Sequence, residues 1–389
     1  MDNKSGQGKR TLMMLIIVLF WFSNYVYVPI FSTYCTSVGA PLAMTGIIIG
    51  SYGLTQMLLR LPIGIVSDML RNRRLFLFLG TISSLLSSAG LYFFTSPLLL
   101  LLFRAMAGLT ASHWAIYITT YSGLGEEEDS GRSLGIVNAL MALGQILATF
   151  SGGLAAEYIG VKSTFLISAG AALIGLILLL FIPETYEAQD QKVSISDFTS
   201  LFRDSKLLFY SFMGLFFQYI HTSSLLGFVP SLLEAIGASD FEKGLGTTLA
   251  LIPGIIGGPL AMSLLSRRLG IRRMGIIGFL LLSVPMFFFP FIKSIPLMLF
   301  AEFITGFGKG TLMPLFMAGA TSHLPSDTHS TAFSVYQAVY GIGMWIGPSI
   351  SGYISNLFSI KAAFICLGFV GAAAIIILFA HKEEKIIVQ

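Results

Sequence analysis

Offset by 199 residues, the 389-residue chain matches itself without a gap at positions that carry structural meaning. Arg73 and Arg74 fall on Arg272 and Arg273, Gly144 and Gly153 on Gly343 and Gly352, and Lys162 and Phe165 on Lys361 and Phe364. Asp68 falls on Arg267, Arg71 on Gly270 and Gly135 on Ser334. A half-length repeat predicts two copies of one bundle facing each other, with any site between them and a rocking motion available to the pair.

The medium follows from composition. Residues are 55% hydrophobic and 11% charged, against about 25% charged in soluble domains. So few charges cannot solvate a globule of this size, and long apolar runs recur throughout, so the chain reads as a polytopic membrane protein. The 33 Phe and 41 Gly suit lipid-facing surfaces and close helix contacts. The net charge of +4 bears on topology and does not imply a nucleic-acid partner. Cys35 and Cys366 lie in separate apolar runs and form neither a disulfide framework nor a metal-ligand set. The first apolar run follows Lys4, Lys9 and Arg10 and is too long for a signal-peptide core, so it is expected to be retained.

Twelve spans are predicted, at 11–35, 42–69, 74–94, 97–121, 132–157, 162–183, 207–235, 244–265, 273–292, 295–321, 330–356 and 360–380. The expected class is an all-α membrane protein: a six-helix bundle over 1–183, a polar linker over 184–206, and a second six-helix bundle over 207–389. An even number of spans puts both termini on one side. That side carries Lys4, Lys9, Arg10, Arg71, Arg73, Arg74, Arg132, Lys192, Arg203, Lys206, Arg267, Arg268, Arg272, Arg273, Lys382 and Lys385. The other carries Lys162, Lys243, Lys293 and Lys361. The positive-inside rule therefore predicts cytoplasmic termini, with the chain in the cell membrane. The acidic run Gly125 to Asp129 reads as a solvated loop.

Charges within spans are costly, roughly 2.5–3.5 kcal/mol or more each, so their bearers face a cavity or a partner. They are Arg60, Arg104 with His113, His221, and Glu302 with Lys309, in spans two, four, seven and ten. Spans three, six, nine and twelve carry none away from their ends and are expected at the periphery.

The loop after the second span reads GIVSDMLRNRR, with Gly64, Asp68, Arg73 and Arg74. It resembles the signature loop of the major facilitator superfamily, although Met69 replaces the usual basic residue and Arg71 the usual glycine. Its repeat, SLLSRRLGIRR, keeps Gly270, Arg272 and Arg273. Span four carries RAMAGLTAS, similar to the family's buried-arginine motif at Arg104 and Gly108, with Ala107 in place of the common glutamine. Span five spaces Gly135, Gly144, Gly152 and Gly153 as family exporters do, but Ala148 and Thr149 replace a central Gly-Pro pair. The repeat has that pair as Gly347-Pro348 in span eleven. VPIFSTYCTSVGAP resembles the twelve-helix drug:proton antiporter branch at Val28-Pro29 and Val38-Gly39-Ala40.

The resemblance implies twelve helices in two pseudo-symmetric bundles and alternating access. It implies a cytoplasmic gate at Gly64, Asp68, Arg73 and Arg74, with Asp68 at the start of helix eleven, where unpaired amides favour a carboxylate. Proton-coupling candidates are Glu302, Arg104 and His221, with an Arg104–Glu302 ion pair across the halves as a hypothesis. Lys309, two turns from Glu302 on one face, is a candidate for holding that carboxylate ionised or for binding an anionic substrate group. Cavity candidates are Asn24, Tyr27, Phe31 and Tyr34 in span one, Gln218 in span seven, and Gln337, Tyr340, Met344 and Trp345 in span eleven. Such a wall suits a partly apolar molecule. Arg60 is compatible with either gate or cavity.

No HExxH, GxSxG, phosphate-binding loop or dinucleotide fingerprint is present, so the chain does not read as an enzyme or an ATPase. The expectation is a monomeric transporter with no cofactor, driven by the proton gradient and exporting small organic or lipophilic molecules. Uptake symport of a small polar or anionic solute is the alternative. A twofold repeat with a latch loop favours alternating access over a continuous channel.

Overall fold

A computed structural model describes residues 3–124, 130–185, 201–260, 266–325 and 328–381. The acidic run at 125–129, linker residues 186–200 with Lys192, and Lys382 and Lys385 lie outside these ranges. So do the side chains of Lys4, Arg132, Arg267 and Arg268. Fifteen α-helices among the described residues build twelve rods: α1 (Asn3–Tyr25) and α2 (Val28–Ser37), α3 (Leu42–Leu70), α4 (Arg73–Phe93), α5 (Pro97–Ser112) and α6 (Trp114–Gly123), α7 (Ser130–Tyr158), α8 (Val161–Leu179), α9 (Ser205–Ser223) and α10 (Val229–Ala235), α11 (Asp240–Leu260), α12 (Ser266–Phe288), α13 (Ile295–Thr321), α14 (His329–Leu357) and α15 (Ile360–Ala380).

The broken rods have local causes. Pro29 and Pro230 sit in the first turns of α2 and α10, where a missing amide is harmless but a continuous helix would lose a hydrogen bond. A π-helical segment, Ser224–Phe228, joins α9 to α10. Between α5 and α6 the chain turns at His113, whose Nδ1 lies 2.9 Å from the Leu109 carbonyl.

Nine of these rods are long and apolar enough to cross a membrane. α11, α13 and α14, which are not among the nine, carry Lys243, Glu302, Lys309 and a polar stripe through Thr331 and Gln337. Polar helices survive in lipid by facing inward, and these three do. α1 packs on α7 and α8, α4 on α5 and α8, α9 on α13 and α14, and α12 on α13 and α15. Contacts between the halves run through α3 with α14, α7 with α11, and α2 with α10 and α11. Rods α4, α8, α12 and α15, whose charges lie only near their ends, instead present Leu86, Leu173, Leu280 and Phe369 outward.

The halves repeat their internal contacts. The Lys162 ammonium lies 5.9 Å from the Tyr92 ring and Lys361 6.0 Å from Phe291, both pairs 199 residues apart. Arg74 donates to the Leu180 carbonyl and Arg272 to that of Phe379. Arg71 and its repeat mate Gly270 both have positive φ, 50° and 78°.

Two backbone seams join the halves at the end away from the termini. Gly46, Gly50 and Gly53 lie against Pro348, Trp345 and Met344, with no room for a Cβ. A Cβ on Gly244 would come 2.6 Å from the Gly153 Cα. Thr149 and Thr248 share a hydrogen bond of 2.8 Å beside that contact. Ser231 Oγ donates to Ser32 Oγ at 3.4 Å, linking repeat mates across the pseudo-axis. Toward the termini Gly64 and Gly135 have open space around them.

Two predictions follow from local geometry. Arg71 is the one described non-glycine residue with positive φ, capping α3 where the related loop has glycine. A left-handed Arg costs about 1–2 kcal/mol, partly offset by the extra unfolded-state freedom of glycine. Arg71→Gly should raise thermal stability in detergent by about 1 kcal/mol, and unchanged or lower stability would contradict this. Asp204 accepts from the Leu207 amide at 2.6 Å and faces His323 Nε2 at 3.0 Å, joining the start of α9 to the end of α13. Burial opposes its charge, but the Leu207 amide and His323 outweigh it and hold the carboxyl below the usual range. A depressed carboxyl stabilises above its unfolded pKa of about 3.9 and stops doing so as pH falls through the folded value. Asp204→Ala should therefore cost about 1 kcal/mol at neutral pH, and the deficit should shrink on acidification below pH 4. Thermal melts from pH 3 to 7 measure it.

Candidate functional site

Between α3 and α14, on the terminal side of the glycine seam, lies a narrow cleft that opens to solvent. Its walls include Gln56, Met57 and Arg60 from α3 and Gln337, Tyr340 and Met344 from α14. The same two helices make both seam and cleft because glycines give way to larger side chains along one face: Gly53, Gln56 and Arg60 are spaced three and four apart. Arg60 Nη2 donates to the Ala111 carbonyl at 3.2 Å, next to the break between α5 and α6. Its Nε and the Gln56 Oε1 are buried with no partner.

Gln337, Tyr340 and Met344 thus line the cleft, and the facing wall is α3 and not the first span. Asn24 Nδ2 turns back to the Phe20 carbonyl at 2.8 Å. Phe31 and Tyr34 pack with Phe165 inside the first half. Trp345 lends its backbone to the seam at Gly50 and Gly53. Sequence reasoning missed Gln56 and left Arg60 undecided. The signal was the continuation of the Gly46, Gly50, Gly53 face.

Arg104 is 5% exposed and sits in an aromatic cage. Its Nη1 donates to the Tyr27 hydroxyl at 2.9 Å, and the Tyr27, Phe31 and Tyr52 rings lie 5.5, 5.3 and 4.6 Å away. Cation–π contacts partly replace the water a buried guanidinium loses. In this conformation Arg104 and Glu302 are not paired: the arginine is held within the first half, the glutamate within the second. Glu302 is 1% exposed, its Oε2 has no partner, and it lies against Gly246, where a side chain would displace it. Gly246 is two residues from Gly244 of the seam.

His221 is buried with Nδ1 unpartnered and its ring stacked 5.5 Å from Phe217. Among the described residues Lys309 has no ion pair or hydrogen bond. Gln218 is buried one turn from His221.

At the terminal end the basic loop is organised by a residue the sequence reading did not single out. The Glu184 carboxylate accepts from the amides of Arg73 at 3.1 Å and Arg74 at 3.0 Å, capping α4. Arg73 Nη1 returns a bond to the Thr185 carbonyl at 3.2 Å. An anion on two free amides at a helix start is a favourable pairing. Asp68 is exposed, and its carboxylate makes no hydrogen bond or ion pair among the described residues.

At the far end Glu157 Oε2 accepts from the Phe241 amide at 3.3 Å, tying α7 to the first turn of α11. Lys243 is 4% exposed, with Asp240 at 2.6 Å and Glu234 at 3.6 Å. Sequence placed it as a loop cation, whereas the structure buries it beneath two partly exposed carboxylates.

Comparison with known proteins places these features in context. The family model described as Major Facilitator Superfamily matches residues 13–225 and again 211–387. The chain is 25% identical over 303 residues to the multi-drug resistance efflux pump PmrA homolog of Lactococcus lactis, covering 76% of this chain and 74% of that one. It is 23% identical over 374 residues to the proton-coupled antiporter flippase LtaA of Staphylococcus saprophyticus, covering 92% and 89%. The crystal structure of the nucleoside transporter NupG superposes with a TM-score of 0.77 at 14% identity, covering 98% of this chain and all of that one.

Proposed function

We propose a function on one plain premise: the chain belongs to the Major Facilitator Superfamily. It is a multi-pass membrane transporter and not an enzyme. Our reading is proton-coupled export of small organic or lipophilic molecules by alternating access. The chain works as a monomer in the cell membrane with its termini in the cytoplasm. No cofactor takes part, and the proton gradient supplies the energy.

The observation that carries this reading is the seat of Glu302. A carboxylate with an unpartnered oxygen, buried deep in the bundle, suits its neutral form. It rests on Gly246, beside the seam that closes the far end. Opening that seam would let water reach the acid and favour loss of its proton. Closing it favours the protonated acid. Proton binding and seam closure are thereby linked, as a proton-driven carrier requires. Arg104 stays separate from this step in the closed arrangement, and His221 with Lys309 supplies a second polar position in the same half. The names of the Lactococcus and Staphylococcus relatives support efflux and antiport.

The uptake alternative, for a polar or anionic solute, draws on Arg60 in the cleft. Direction separates the two. In inside-out vesicles with an acidified lumen, addition of a substrate should drive proton release through the wild-type chain. Glu302→Gln should lower that flux at least tenfold, and Gly246→Ala should impair it without altering any charge. Full flux in Glu302→Gln would end the coupling role. Proton movement found only in right-side-out vesicles under external acid would select uptake.

A further inference from the structure

We infer that the cleft between α3 and α14 is an anion subsite, with Arg60 as its anchor and an organic acid on an apolar body as its ligand. This rests on the transporter reading above and names the class of substrate.

The argument begins with charge. Arg60 is 18 residues from the start of α3 and 10 from its end, so it lies well within the span, roughly 27 and 15 Å from the two helix ends. A guanidinium has five N–H donors. Among the described residues it makes one bond, to the Ala111 carbonyl, and Nε is buried without a partner. That carbonyl is neutral, so the bond orients Arg60 but leaves its charge uncompensated. The residues lining the cleft include no carboxylate.

Nor does the rest of the interior supply a counter-charge. Arg104 is held by a tyrosine and aromatic rings, and Lys309 has no described partner. Glu302, the one carboxylate well inside a described span, is seated against Gly246 in the second half and does not line the cleft. Three cations against one acid give an interior that is short of negative charge. Uncompensated charge at this depth is expensive, and a ligand that brings the missing anion recovers that cost on binding.

The remaining lining fixes the rest of the ligand. Met57, Leu61, Met344 and the Tyr340 ring offer apolar surface, while Gln56 and Gln337 offer amides. These apolar faces beside paired amides suit a ligand that carries its charge on an apolar body. A carboxylate, sulfonate or phosphate group would meet the Arg60 fork, which binds planar or tetrahedral oxyanions through paired bonds.

The competing explanation is that Arg60 merely pins the broken rod through Ala111. A structural pin does not select ligands by charge. The test is calorimetric titration of the purified full-length protein in detergent with 2-naphthoate and its neutral isostere 2-naphthamide. Naphthoate should bind at least about tenfold tighter, with the advantage weakened by salt. Arg60→Gln should abolish the preference, and Arg60→Lys should keep part of it. The lysine variant guards against a fold defect in the glutamine one, as does gel filtration of both. A naphthoate that binds no tighter than naphthamide, or a preference that survives Arg60→Gln, overturns the assignment. The same compounds in proteoliposomes separate this inference from its premise. Glu302-dependent proton movement driven by naphthamide and indifferent to Arg60 would keep the transport reading and sink the anion subsite. Arg60-dependent naphthoate binding without proton movement would do the reverse.

Discussion

The two halves meet backbone to backbone, and the rest of the arrangement depends on that. Without a hydrophobic drive between helices in lipid, association rests on close packing, and glycine permits it. Gly153 against Gly244 and Gly46 against Gly352 form two such seams. Gly153 and Gly352 are repeat mates, so one ancestral surface is used twice. Because the seams lie toward one end, the halves are tightly joined there and diverge around the cleft at the other. Any side chain at these glycines would have to displace main chain, so the closed arrangement has a hard steric definition.

Glu302 and Arg60 take their meaning from their distance to these seams. Glu302 rests on the helix that carries Gly244, so its hydration changes when that seam opens. Arg60 extends the face that carries Gly53, so it enters the space that begins where the other seam ends. The acid and the base are thus separated: one reports the state of the seam, the other meets the ligand. Arg104, caged by Tyr27, Phe31 and Tyr52, keeps a buried charge inside the first half without borrowing that acid.

Much of the architecture was legible because it is written in repetition and in the placement of charge. The 199-residue offset paired Lys162 with Lys361, which the structure sets over equivalent aromatic rings, and spans without interior charge marked the outer rods. The substitution of Arg71 for glycine was visible as a departure, but its cost appeared only once φ was known. The cleft wall was less legible. Aromatic and polar residues at helical spacing in the first span looked like a cavity lining, yet Asn24 satisfies itself on its own backbone and Tyr34 packs on Phe165. Side-chain spacing gives a face, and only the partner helix decides whether that face meets solvent or protein. Glu184 was missed for a related reason: its role lies in two amides more than 100 residues away, which no local pattern encodes.

The most direct test of this account is a disulfide across the pseudo-axis. Ser32 and Ser231 already bring their hydroxyls within 3.4 Å. Cysteines at both positions, in a background where Cys35 and Cys366 are serine, should oxidise readily and lock the far end shut. Substrate-driven proton movement in proteoliposomes should then stop and return on reduction. Full proton movement through the fully oxidised protein would mean that this end need not open, and alternating access about the glycine seams would be wrong.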